Sequence, residues 1–358
     1  MISLSDLEKQ ALALLPKAHA DYFIGGSERE VTANANLQSF DGLQLWPRVL
    51  RGNFEGDLNI DLLGSQLDYP ILAAPTAFHK LAHPEGELAT ARAIARCNSL
   101  MIVSMASNTA IETITEAAYE VNPRAGIWLQ IYIQPDRDFT RRLIRRAEKS
   151  DCKGLVVTVD SPVFGVRERD IRNNFSELPE GLYCANMKDP DGIFRDIDFD
   201  SGLNWNDIAW LRDNTQLPII LKGILHPEDI RLAIQHNLQS VMISNHGGRQ
   251  LDGVPATIHV LPLLAQAADG RIRLLVDGGI RSGSDVLKAL ALGADAVAIG
   301  RPVIWGLAVD GEQGVQAVFQ HLHKQLLSSV RLCGCRNRDD INSGLIFTPN
   351  NQEAKPYG

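Results

Sequence analysis

Residues 272–300 read IRLLVDGGIRSGSDVLKALALGADAVAIG, and the order of three segments inside them decides the fold. IRLLVD (272–277) is a short apolar run of the kind that forms a strand buried on both faces. SDVLKALALG (284–293) carries its apolar residues at helical spacing, opens on Ser and Asp, and closes on Gly, which is helix-cap chemistry. DAVAIG (295–300) returns to the strand pattern. Strand, helix and strand at this spacing make one step of a parallel sheet.

The same alternation extends toward the N-terminus. Further apolar runs are ILAAP (71–75), LMIVS (100–104), IWLQIY (127–132), GLVVTV (154–159), PIILK (218–222) and SVMIS (240–244). Helix-like segments lie between them, among them GELATARAIARC (86–97), RDFTRRLIRRAEK (137–149) and PEDIRLAIQH (227–236). Eight strand–helix pairs over roughly 250 residues are the size of a closed (β/α)8 TIM barrel. An open doubly wound sheet would normally carry GxGxxG after its first strand, and that fingerprint is absent. The predicted fold class is therefore α/β: a (β/α)8 barrel with an N-terminal helical extension and a lid loop after strand 4. The chain reads as a single domain, 1–358, with an extension over 1–69, the barrel over 70–335, the lid over 161–203 and a C-terminal tail over 336–358.

Composition narrows the function. The 358 residues are 45% hydrophobic and 22% charged, with a formal net charge of −8. Bulk attraction to nucleic acid or to an anionic membrane surface is excluded, so an anionic ligand has to be caught by a few local arginines. The first twenty residues read as an amphipathic helix rather than a signal peptide, and no run approaches the ~20 apolar residues of a membrane span. Five scattered cysteines (97, 152, 184, 333 and 335) read as free thiols of a reducing compartment. A cytoplasmic protein is expected.

Barrel enzymes place their chemistry at the carboxyl ends of the strands. Those ends carry Pro75, Thr76 and Ala77; Ser104; Gln130 and Tyr132; Thr158 and Asp160; Lys222; Ser244, His246 and Arg249; Asp277, Gly278, Gly279 and Arg281; and Gly300 and Arg301. Taken singly, Ser104 or Thr158 is a cap or turn residue. Taken together, glycines with an arginine after each of the last two strands suit a phosphate site built of backbone N–H groups and cations. In SNHGGRQLDG (244–253), His246 and Arg249 suit a substrate whose carboxylate adjoins the bond to be broken. The guanidinium would anchor the anion and the imidazole would take a proton, with Asp160 as its orienting carboxylate. With no metal-ligand cluster in the sequence, a phosphate-bearing organic cofactor would supply redox chemistry.

These stretches, with LKGI (221–224), IGRPV (299–303), APTAFHKLAHPEGELATARA (74–93), QIY (130–132) and TVDSPVFGVRERDIRN (158–173), resemble the FMN-dependent 2-hydroxy acid oxidase/dehydrogenase family. The resemblance runs from about residue 21 to residue 335 and its motifs are jointly specific. It implies that His246 takes a proton from the substrate and pairs with Asp160. It implies that Arg249 and Arg167 hold the substrate carboxylate, with Tyr22 and Tyr132 beside it. Around the flavin it places Pro75 to Ala77, Ser104, Gln130, Thr158 and Ser244, with Lys222 at the N1/O2 edge. Asp277, Gly278, Gly279, Arg281, Gly300 and Arg301 fall to the ribityl and phosphate groups.

Glycolate oxidases carry a tryptophan where this chain has Ala106, so a substrate larger than glycolate is expected, from lactate-like to longer or aromatic. The resemblance further implies dioxygen as the acceptor, giving hydrogen peroxide, and a homotetramer. Two alternatives stay open: a soluble dehydrogenase passing electrons to a quinone or carrier protein, and, more remotely, an FMN barrel isomerase acting on a diphosphate.

Overall fold

The computed structural model describes residues 3–55, 57–189 and 191–348. Helices α1 (Leu4–Leu14), α2 (Lys17–Ile24) and α3 (Val31–Asp41) come first, followed by a hairpin of β1 (Ile60–Leu62) and β2 (Ser65–Leu67). The barrel strands are β3 (Ile71–Ala73), β4 (Leu100–Ser104), β5 (Gly126–Ile131), β6 (Gly154–Thr158), β7 (Ile219–Ile224), β8 (Ser240–Ile243), β9 (Arg273–Asp277) and β10 (Ala296–Ile299). All pair in parallel with their neighbours, and β10 closes on β3. Between them lie α4 (Gly86–Arg96), α5 (Ile111–Val121), α6 (Arg137–Lys149), α7 (Glu168–Arg172), α8 (Trp205–Asp213), α9 (Pro227–Gln235), α10 (Thr257–Ala268) and α11 (Gly283–Ala291). A last helix, α12 (Arg301–Leu332), is broken by non-helical Asp310 and Gly311. The predicted barrel is thus the observed one. No helix among the described residues is long and apolar enough to cross a membrane.

Side-chain alternation along the strands builds two cores. Ile102, Trp128, Val156, Ile220, Met242, Leu275 and Ala298 fill the barrel interior. Their neighbours Val103, Leu129, Val157, Leu221, Val241 and Val276 face outward against the helices. Because the period is two, the next inward positions are Ser104, Gln130, Thr158, Lys222, Ser244 and Asp277. The interior therefore ends in a polar layer at the carboxyl end, and that layer floors the candidate site.

Two expectations need correction. Residues 1–69 are not purely helical, because the β1–β2 hairpin packs Ile60, Leu62 and Leu67 into the inner cluster with Leu100 and Ala296, at the strand starts. It plugs the end of the barrel opposite the site. The region 161–203, expected to be an irregular lid, holds α7 and an anchor: Asn186 is fully buried and bonds the Ile111 amide (2.9 Å) and Ser107 Oγ (2.8 Å). Part of the C-terminal tail, 349–358, lies outside the described residues.

Candidate active site

The polar layer is tied together laterally. Gln130 accepts from Ser104 Oγ (3.2 Å) and donates to Thr158 Oγ1 (3.0 Å). Lys222 Nζ donates to Ser244 Oγ (2.9 Å) and lies 3.6 Å from Asp277 Oδ2, with both charges buried. The ladder bulges after Lys222, where Gly223 adopts φ +113°. A Cβ on Gly223 would stand 2.6 Å from the Asp160 Cβ, so the glycine of LKGI makes room for that carboxylate.

Asp160 is two strands from His246 in the barrel order, and its Oδ1 accepts from His246 Nδ1 at 3.0 Å. The loop after β8 runs left-handed through His246, Gly247 and Gly248 (φ 58°, 63° and 76°), which swings the imidazole back over the barrel mouth. Burial pushes the His246 imidazole below its ordinary pKa; Asp160 opposes that shift, while Lys222 and Arg167 add to it. Burial also works against the Asp160 charge, but His246 and Lys222 outweigh it and hold that carboxyl below its usual range. The contact orients the imidazole, and burial favours its neutral form.

One cleft gathers nearly all the residues singled out from the sequence. Tyr22, Pro75, Thr76, Ala77, Ser104, Ala106, Tyr132, Arg167, Lys222, His246 and Arg249 line it together with Asp277, Gly278, Gly279, Arg281, Gly300 and Arg301. Asp160, Gln130, Thr158 and Ser244 stand directly behind, each through the hydrogen bonds just given. Arg249 sits over the Tyr22 ring (4.8 Å), and its Nη1 donates to the Tyr22 and Gly25 carbonyls (2.5 and 3.1 Å). Arg167 comes in from the lid, over the Phe164 ring at 4.3 Å. Its pKa is pushed down to about 10 by burial and by Arg249, and its Nε has no hydrogen-bond partner.

At the far end of the cleft Arg281 and Arg301 are both half-buried, and desolvation pushes their pKa values down to about 10 and about 9. Neither has a carboxylate within ion-pair distance among the described residues. Arg301 donates to the carbonyls of Phe23, Gly247 and Gly25, each at 3.0 Å, which uses three of its five N–H groups. Arg281 donates to its own neighbour Ile280 (2.9 Å) and stacks over Trp305 at 4.8 Å. Arg301, the first residue of α12, and Arg281, reaching over Trp305 from the loop after β9, are two partly desolvated cations suited to a dianion. Asp277 Oδ1, in the same cleft, is a buried acceptor with no hydrogen-bond partner among the described residues. These groups fit a flavin mononucleotide: a cation and amides in the polar layer, an acceptor for ribityl hydroxyls, and two guanidiniums for the phosphate.

Some cleft residues were not foreseen. Phe78, Phe164, Ile197 and Phe199 make an apolar wall facing Ala106, with Phe199 edge-on to Tyr132 (5.1 Å) and 5.6 Å from Phe164. Three of them lie in the lid, where no periodicity marks a side chain as inward. Gln250 also went unnoticed. Its Oε1 accepts from the Gly165 amide and its Nε2 donates to the Val163 carbonyl, both at 3.0 Å, fastening the lid to the histidine loop. Asp252 of the same loop caps α3 from a distance, accepting from the Thr32 amide (2.8 Å) and the Val31 amide (3.2 Å).

A barrel with arginines after its last two strands, and a His–Asp pair in one cleft with two further arginines, fits a class, the FMN-dependent oxidoreductases. Residues 11–348 match the model of the FMN-dependent dehydrogenase family. Human 2-hydroxyacid oxidase 1 is 44% identical over 361 residues, covering 97% of this chain and 96% of that protein. An L-lactate oxidase from Nostoc is 40% identical over 358 residues, covering 96% and 98%. A structure of a mandelate oxidase variant with (S)-mandelic acid superposes with a TM-score of 0.89 at 37% identity, covering 97% and 98%. The chain belongs to the FMN-dependent 2-hydroxy acid oxidase/dehydrogenase family, and FMN is its cofactor.

Proposed function

We propose that this enzyme oxidises L-2-hydroxy acids with side chains larger than that of glycolate to 2-oxo acids. The substrate loses two electrons and two protons; dioxygen takes them up and leaves as hydrogen peroxide. The observation that carries the reading is His246, fixed by Asp160 at 3.0 Å, in one cleft with Arg167 and Arg249.

Arg167 and Arg249 hold the carboxylate, and Tyr22 and Tyr132 bond its oxygens or the hydroxyl. With Nδ1–H donated to Asp160, Nε2 of His246 is left as the base for the substrate proton. Asp160 then stabilises the imidazolium that forms. Bound FMN supplies the two-electron acceptor. Its ring would be held by Pro75 to Ala77, Ser104, Gln130, Thr158 and Ser244, with Lys222 opposite the charge that reduction leaves. Asp277, Gly278 and Gly279 would take the ribityl chain, and Arg281, Gly300 and Arg301 the phosphate.

The small Ala106 and the Phe78–Phe164–Ile197–Phe199 wall support a bulky apolar side chain. The identities of about 40% to oxidases support dioxygen as acceptor. Free thiols at all five cysteines support a reducing compartment, and we place the enzyme in the cytoplasm as a homotetramer; chromatography with light scattering tests the assembly.

The decisive experiment is anaerobic mixing of the yellow holoenzyme with glycolate, lactate, 2-hydroxy-4-methylpentanoate and mandelate. Bleaching is expected to be fastest with the larger acids, and colour to return within seconds of admitting air. Fastest bleaching by glycolate would overturn the size preference. Colour returning only with an added quinone would make the enzyme a dehydrogenase.

A further inference from the structure

The proposed carboxylate grip is assembled from three separate pieces of chain: Tyr22 on α2, Arg167 just before α7 in the lid, and Arg249 after β8. All three meet on the turn formed by residues 25–30. The Ser27 amide donates to the Gly248 carbonyl (2.7 Å), and the Glu28 amide (2.8 Å) and Ser27 Oγ (3.0 Å) donate to the Val166 carbonyl. The Gly25 carbonyl accepts from both Arg249 and Arg301. This turn is strained, because Glu28 and Glu30 are both left-handed (φ 46° and 62°).

One side chain outside the cleft binds the turn to the lid. Arg169 grips Glu30 with a two-pronged contact, Nε to Oε1 at 2.6 Å and Nη2 to Oε2 at 2.7 Å. Its Nη1 reaches Asp21 Oδ1 at 3.1 Å, on the residue next to Tyr22. Glu30 Oε1 also accepts from the Gly26 amide (3.0 Å), and Asp21 Oδ2 from Asn173 (2.8 Å) and Lys17 (2.5 Å). The Arg169 stem packs where a Cβ on Gly25 would stand, 3.2 Å from its Cδ.

A grip of this kind needs such a brace. Arg167 and Arg249 repel each other, and that repulsion is among the causes depressing the Arg167 pKa. Among the described residues the one carboxylate within ion-pair distance of Arg167 is Asp170, at 4.0 Å. Gln250 and the bonds to the Val166 carbonyl hold the chain before Arg167, so a restraint on α7 after it is needed to keep the two guanidiniums together when no carboxylate lies between them. We propose that Arg169 is a positioning residue: by pinning α7 to Glu30 and Asp21 it holds Arg167 against Arg249, preassembled for the substrate carboxylate. The inference rests on the functional reading above, in which those two arginines receive that carboxylate.

The test titrates the holoenzyme with oxalate, which has a carboxylate and an α-oxygen but no C–H bond to lose, and follows binding by calorimetry. Arg169→Gln is expected to raise the oxalate Kd and the substrate KM together, by about tenfold, the size of a coupled contact. The FMN Kd and kcat should change little. Glu30→Gln should act in the same direction, the double variant should be no worse than Arg169→Gln alone, and Arg169→Lys should recover part of the loss. An unchanged oxalate Kd in Arg169→Gln would overturn the proposal. So would an equal loss of FMN and oxalate affinity, which marks a general structural role, or additive effects of the two substitutions. If Arg169→Gln does not fold, Glu30→Gln carries the same comparison. Failure of the unaltered holoenzyme to bind oxalate would strike the functional reading itself.

Discussion

Asp160 is the neighbour that favours the charged form of His246. Burial drives the imidazole pKa down from the ordinary value of 6.5, while the Asp160 carboxylate pulls it back up. The sign of the pH effect follows. The group acts as a base only when neutral, and its pKa is lowered, so kcat/KM should hold as pH falls to 6.5 and decline only below it. An acid limb centred above 6.5 would contradict this. Asp160→Asn removes the largest force opposing the burial shift, so the limb should move to still lower pH. The plateau should also fall, by about 10²-fold or more, because the imidazolium formed in the reaction loses its counter-ion. A lowered plateau with no movement of the limb would mean that Asp160 acts on geometry alone. That His246, Arg249 and Asp160 would meet at one mouth was legible, since all three follow barrel strands. The brace at Arg169 was not, because its partners are more than a hundred residues away in the chain.

Elements were legible in proportion to how fully they are buried. The barrel strands lie between two apolar layers, so each is a continuous apolar run that nothing else in the chain imitates. Hairpin β1–β2 has three-residue strands alternating buried and exposed, too short for a period to register. Helix α12 hides its break, because Asp310-Gly311 resembles any polar surface pair. The glycines after β9 were legible as glycines but not for their full reason. Gly279 (φ +87°) backs onto α3, and a Cβ there would lie 1.9 Å from the Asn36 carbonyl oxygen. Asn36 in turn exchanges amide hydrogen bonds with Asn245 at 2.8 Å, next to His246. Gly279→Ala must therefore push α3 away and strain its own backbone, at a cost of about 2 kcal/mol or more. Thermal unfolding of the holoenzyme should show a drop of several degrees, with weaker FMN retention; a Tm unchanged within a degree would mean that α3 yields freely.

At the scale of the whole molecule, the cofactor completes the electrostatics of the fold. Lys222, Arg281 and Arg301 bring three positive charges to one barrel mouth; among the described residues only Lys222 has a carboxylate within ion-pair distance, Asp277 at 3.6 Å, while Glu8 acts on both arginines from further away. Arg281 is itself among the causes that lower the pKa of Arg301. Folding without an anion thus buries two mutually repelling guanidiniums, a cost that bound phosphate offsets. Removal of FMN should lower stability by more than lost contact area alone suggests; at a free FMN concentration of about 100 Kd the linkage contribution is about 2.7 kcal/mol. The electrostatic part has its own signature. Inorganic phosphate at millimolar concentration should raise the Tm of the apoprotein, and chloride at equal ionic strength should raise it much less. Phosphate should do little to the holoenzyme, whose anion site is filled. In Arg281→Met the phosphate response of the apoprotein should shrink while its Tm in chloride rises, because one of the two repelling charges is gone. Equal stabilisation of apoprotein and holoenzyme by phosphate would instead indicate general salting-out, and the paired arginines would then lose their role as the anchor of the flavin phosphate.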